Sequence, residues 1–192
     1  STGRQASSTV QLPLFPETHE TDRAALARCL AADVVAVDIE TETRWPGDGP
    51  KIDYGLSYSA AVTVIALAWL EGETVVTTAV DAPFDAGIRQ FLKDLFDPAR
   101  WIVAHNAVFD LRQLSKLTDG KLPQHIWDTQ TMARLLHPAV DIRYNLLAVA
   151  TTLGLSFPER QQSLKGQRSK LHTLPLELTL EYAQDDARLT LQ

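Results

Sequence analysis

Val34-Val35-Ala36-Val37-Asp38-Ile39-Glu40-Thr41 begins as a β-branched apolar run and finishes on two carboxylates. A short run of this kind predicts a buried strand. Side chains alternate along a strand, so Asp38 and Glu40, two apart, leave the same face. Two like charges that close raise each other's pKa and destabilise the fold unless something compensates. A divalent cation held by hard oxygen ligands is the simplest compensation. The plain alternative is that the strand has already ended and both groups are solvated.

Upstream, residues 21–32 carry Ala24, Leu26, Cys29 and Leu30 at helical spacing, which predicts a first helix. Downstream, residues 41–59 hold glycines and prolines and read as a long loop. Residues 61–70 predict a second strand, and Glu71-Gly72-Glu73 turns it into a third over residues 74–80. A helix over residues 84–96, a strand over 101–104, a helix over 107–117 and a short strand near 125–127 follow. Asp128 stands where an N-cap belongs, ahead of a helix over 129–136. Helices over 145–153 and 175–192 complete the chain, separated by the polar stretch 159–170. An antiparallel hairpin followed by strand–helix units predicts an α/β domain with a mixed sheet flanked by helices.

The 192 residues are 45% apolar and 22% charged, ordinary for one soluble domain with a sizeable core. The net charge of −6 argues against tight, non-specific binding of duplex nucleic acid by this domain alone. A cluster of cation-binding carboxylates would account for part of that charge. Cys29 is the single cysteine and sits in an apolar helical pattern, so it reads as a core residue. The most apolar run, residues 60–70, is too short to span a bilayer as a helix, and residues 1–9 lack a signal pattern. Residues 1–16 are expected to be a disordered or extended lead-in, and residues 17–192 the domain.

Two further segments carry carboxylates. In WIVAHNAVFD, residues 101–110, a strand ends at His105 and Asn106 and a helix begins. Asp110 then lies in its first turn, where the helix dipole alone favours a carboxylate. Yet α/β sheets place their sites where strands end and the next helices start. In EYAQDDARLT, residues 181–190, Tyr182 and Asp186 are four apart and share a helix face. Asp185 points elsewhere and is expected to be solvated. Tyr182 as a packing residue on an amphipathic helix is the competing reading.

VDIET, HNAVFD and YAQDDA, in this order, resemble the three exonuclease motifs of the DEDD superfamily, and the tyrosine four residues before the last aspartate resembles its DEDDy branch. The resemblance covers residues 33 to 192. Within it, LKGQRSKL followed by EYAQDDARLTLQ is most similar to the proofreading domain of family A DNA polymerases. The resemblance implies an RNase H-like fold and metal-dependent 3′–5′ hydrolysis of single-stranded DNA ends to nucleoside 5′-monophosphates. It also implies a polymerase domain in the same chain and action in the cytoplasm of a bacterium, or from a phage or plasmid gene. Two divalent cations, Mg²⁺ or Mn²⁺, are implied as cofactors. Asp38 is expected to bridge both ions, Glu40 and Asp186 to complete the first, and Asp110 to hold the second. Tyr182 and Glu40 are expected to orient the attacking water. Thr41, His105 and Asn106 are candidate contacts to the terminal nucleotide, and His105 is alternatively a residue that orders the strand end. Lys165 and Arg168, in the most basic stretch, are candidate phosphate contacts, and Tyr54 and Tyr58 candidate stacking groups. An RNase D-like exoribonuclease is the main competing assignment, since it uses the same five residues. An inactive nucleic-acid-binding domain and an RNase H-type endonuclease fit less well, because all four carboxylates and Tyr182 are present.

Overall fold

The computed structural model describes residues 17–20, 23–43, 60–138, 144–159, 161, 171 and 174–192. The lead-in over residues 1–16, most of the expected loop with Trp45, Tyr54 and Tyr58, and the basic residues Lys165 and Arg168 lie outside them. The described elements are β1 (Glu17–Glu20), α1 (Arg23–Cys29), β2 (Val34–Thr43), β3 (Ala60–Glu71), β4 (Thr74–Asp81), α2 (Ala86–Leu95), β5 (Trp101–Ala104), α3 (Ala107–Leu114), β6 (His125–Asp128), α4 (Thr129–Leu136), α5 (Leu146–Thr152) and α6 (Leu176–Leu191). No helix among the described residues is long and apolar enough to cross a membrane.

Six strands form one mixed sheet in the order β1-β4-β3-β2-β5-β6. The β2–β3 and β3–β4 pairs are antiparallel, and β1–β4, β2–β5 and β5–β6 are parallel. This is the α/β mixed sheet the sequence predicts. Gly72, with φ 63°, supplies the left-handed conformation that closes the β3–β4 hairpin.

The sheet separates two cores by strict alternation. Val35, Val37 and Ile39 of β2 join Ile65, Leu67 and Trp69 of β3 under α1, α2 and α3. The opposite parity, Ala36, Val64, Ala66 and Ala68, packs with Ala183 and Ala187 of α6. Alanines meet alanines there, so α6 can lie close to the strands. Thr77 Oγ1 donates to Gln184 Oε1 at 3.4 Å and ties the same helix to β4. Period two puts Asp38 and Glu40 on this α6 face.

Three expectations change. β1 is an additional strand, formed by pairing with β4, Glu17 opposite Val75 and Glu20 opposite Thr78, which no local pattern in Glu17–Glu20 announces. β2 runs through Thr43 rather than giving way to loop at Thr41, because residues 60–62 of β3 pair with Thr41, Glu42 and Thr43. Asp185 is fully buried, not solvated. Residues 182–190 of α6 are all buried, because the helix carries the sheet on one side and α5 and Leu171 on others.

Replacing Ala66, which pairs with Asp38 and is fully buried, by leucine overpacks the α6–sheet contact. The expected loss is about 1–3 kcal/mol by urea unfolding.

Candidate active site

A register shift interrupts the β2–β3 ladder between Glu40 and Thr41: Glu40 pairs with Val64 and Thr41 with Val62. The extra residue, Thr63, donates through Oγ1 to the Glu40 carbonyl at 3.2 Å. Such bulges end regular pairing and re-aim side chains. Here the bulge follows the two carboxylates directly.

Asp38, Glu40 and Asp186 converge, each with a carboxylate oxygen within 4.8 Å of the others. Asp38 and Glu40 keep partial exposure, while Asp186 is buried. Asp110, in the first turn of α3, is 4% exposed, and its Oδ2 has no hydrogen-bond partner. Burial, then the negative charges of Glu40, Asp128 and Asp186, push the Asp110 carboxyl well above the usual carboxylate range. Asp110 therefore faces the same cluster without joining its tightest group. A buried carboxylate oxygen without a donor, beside three other carboxylates, fits divalent cations. Oxygen-only ligands suit hard ions of the Mg²⁺ or Mn²⁺ kind.

Tyr182 lies one turn before Asp186 and is 1% exposed. Its ring belongs to a small apolar cluster with Leu171, Leu174 and Leu178, and its carbonyl accepts from Gln161 Nε2 at 3.0 Å. The packing reading and the site reading of Tyr182 thus describe the same buried position.

The β5–α3 turn is held from the neighbouring strand. Asn106 has φ 68° and ψ 51°, a left-handed conformation uncommon outside glycine, and its side chain makes no cap bond to α3. Its N–H donates to Asp128 Oδ1 at 3.1 Å, and that of Ala107 donates to Asp128 Oδ2 at 3.1 Å. Asp128 Oδ1 also accepts from Gln130 and Thr131, at 2.9 and 3.2 Å, as the N-cap of α4. His105 Nδ1 bonds Thr129 Oγ1 and its Nε2 the Tyr144 carbonyl, both at 2.9 Å. Both ring nitrogens are thus engaged inside the protein, which fits the reading of His105 as a residue that orders the strand end. Thr41 is partly exposed just beyond the bulge, and Asn106 is exposed at the helix start.

From the sequence Asp128 reads as the cap of one helix, and Thr129, Gln130 and Gln161 do not stand out individually. The signal present was an Asp-Thr pair directly after a strand. An apolar cleft between α4, α5 and the end of α6, lined by Met132, Leu136, Leu153 and Leu189 among others, contains none of the four carboxylates.

A protein-family model described as 3′–5′ exonuclease matches residues 15–192. No curated protein matches the sequence. Among solved structures, Brucella melitensis NrnC with bound Mg²⁺ is similar with a TM-score of 0.58 and 20% identity, over 91% of this chain and 76% of that one. Trypanosoma brucei RNase D in complex with RNA U12 is similar with a TM-score of 0.62 and 16% identity, over 92% of this chain and 60% of that one. The catalytic core of RRP6 from Trypanosoma brucei gives 0.60 and 20%, over 98% of this chain and 47% of that one. At these identities the likeness is one of fold.

The crowding around Asp110 has a measurable consequence. Its folded pKa is raised, so charging it costs stability that appears as pH rises past the unfolded carboxyl value, about 3.9, and is complete above the folded one. In chelator, Asp110→Asn is therefore expected to melt higher than the unsubstituted protein at pH 7.5. The gain should disappear near pH 4, and saturating Mg²⁺, which stabilises only the intact site, should narrow it at pH 7.5. An equal gain at both pH values would exclude this origin.

Proposed function

Because the chain belongs to the 3′–5′ exonuclease family, we propose that it removes nucleotides from the 3′ end of a single DNA strand, releasing nucleoside 5′-monophosphates, as the proofreading module of a family A DNA polymerase. The convergence of Asp38, Glu40 and Asp186 with Asp110 facing them is the observation that carries the reading. The name of the matching family model, which joins it to DNA polymerase A, supports DNA as the substrate. A bacterial, phage or plasmid origin and cytoplasmic action go with that assignment.

Two divalent ions, Mg²⁺ or Mn²⁺, would supply the charge that stabilises the attacking and leaving oxygens of an in-line displacement. Asp38, Glu40, Asp186 and Asp110 would hold these ions. Glu40 and the Tyr182 hydroxyl, which both donates and accepts, orient the attacking water at the terminal phosphate. Tyr182 does this without ionising. Thr41 and Asn106 contact the terminal nucleotide, and Lys165 and Arg168 the phosphates behind it.

A second reading, trimming of RNA, is favoured by the similar fold of an RNase D that holds RNA. Matched DNA and RNA oligonucleotides, 5′-labelled and incubated with Mg²⁺ or Mn²⁺, separate the two. Faster shortening of DNA from the 3′ end supports the first, and faster shortening of RNA the second. Asp38→Ala removes a shared ligand and should abolish hydrolysis with an unchanged circular dichroism spectrum. Activity retained at saturating Mn²⁺ would count against the site. Tyr182→Phe should slow turnover, but by less than loss of a carboxylate.

A further inference from the structure

Asp128 carries no assigned role beyond capping α4, yet its carboxylate takes four backbone N–H groups from two different helix starts. Two belong to its own helix. The other two, from Asn106 and Ala107, lie more than twenty residues earlier in the chain, at the entry to α3. We propose that Asp128 is a positioning residue for the hydrolytic site, acting through the β5–α3 turn to set where Asn106 and Asp110 stand.

Asn106 occupies a left-handed conformation that asparagine adopts at a cost, and such residues persist only where their surroundings over-determine them. Its own side chain makes no cap bond, so the Asp128 carboxylate takes the place of the missing N-cap. The Ala107 bond fixes the first residue of the helix, and Asp110 is three residues further, in the same turn. The clamp is reinforced: β5 and β6 pair in parallel register up to Ala104 and Asp128. Thr129 Oγ1 then reaches the Ala104 carbonyl and bonds His105. The start of α4 thus fastens the end of β5 over three successive residues. Asp110 itself lacks a hydrogen bond to its Oδ2 and is pushed by its neighbours' charge. The backbone bonds upstream hold the start of the helix turn from which it projects.

The charge of Asp128 works against Asp110, since it adds to the negative field on that carboxyl. A residue kept only to cap α4 could be serine without that penalty, because serine is an equally favoured N-cap. What serine lacks is the second oxygen and the reach to serve α3 as well.

The inference rests on the exonuclease reading for its kinetic part alone. The test compares Asp128→Ser, which can still cap α4, with Asp128→Asn, whose single side-chain oxygen can take the Oδ1 bonds to Asn106 and α4 but whose amide nitrogen cannot accept from Ala107. Three readouts are taken: backbone amide resonances of Asn106 and Ala107, Mn²⁺ affinity by calorimetry, and kcat and KM on a single-stranded oligonucleotide. In Asp128→Ser the two amides should shift and Mn²⁺ should bind more weakly. Misplacement of a reacting group by about 1 Å can cost on the order of 10²-fold, so kcat should fall on that scale while KM stays within about threefold. Asp128→Asn should recover part of kcat, with the Asn106 amide returning towards its unsubstituted shift and the Ala107 amide still displaced. Unmoved amides, or a kcat within about twofold of the unsubstituted chain despite a lower melting temperature, would overturn the proposal and leave Asp128 a cap for α4. Equal losses of kcat in both variants, with the Asn106 amide restored in Asp128→Asn, would also overturn it, because kcat would then not follow the position of the turn. If the unsubstituted chain hydrolyses neither DNA nor RNA while the amides and Mn²⁺ affinity shift as stated, the function reading fails and the positioning role stands.

Discussion

Carboxylates repel one another, and four of them meet at one end of this sheet. Asp38, Glu40 and Asp186 approach within 4.8 Å, and Asp110 is buried within the field of Glu40 and Asp186. Left to themselves the groups would separate. The rest of the structure keeps them from doing so, and a divalent cation held there would make the arrangement favourable. Rigid elements on three sides supply the restraint: a central strand, a helix pressed on its face, and a helix start held by a neighbouring strand.

Small residues do the first part of this work. Ala36, Ala66 and Ala68 on the sheet and Ala183 and Ala187 on α6 allow close approach, so Asp186 reaches carboxylates that project from β2. Larger side chains would bury more apolar area but hold the helix away. The helix is buried along residues 182–190 and so has little freedom to lift or rotate. Its polar members are accommodated within the fold, as the Thr77–Gln184 bond illustrates. The second part falls to Asp128 and His105, whose hydrogen bonds lock the β5–α3 turn. Both lie where a parallel strand ends, the position at which α/β folds place their chemistry.

By itself the sequence determined the α/β class, the hairpin and most strands and helices, and it marked the four carboxylates and Tyr182 as candidates, because each signal is local. Alternation in VVAVDIE, the Gly72 turn, the cap at Asp128 and the one-turn spacing of Tyr182 and Asp186 are all legible within a few residues. Only the tertiary structure decided what depends on partners far along the chain. Glu17–Glu20 becomes a strand because β4 offers an edge, and β2 extends to Thr43 because β3 pairs with it. Asp185 is buried because a helix can be covered on several sides at once, which its own pattern does not encode. Likewise the oxygen that caps α4 also holds α3, since a side chain's local geometry names its nearest acceptor role but not the second backbone that folding brings within 3.1 Å.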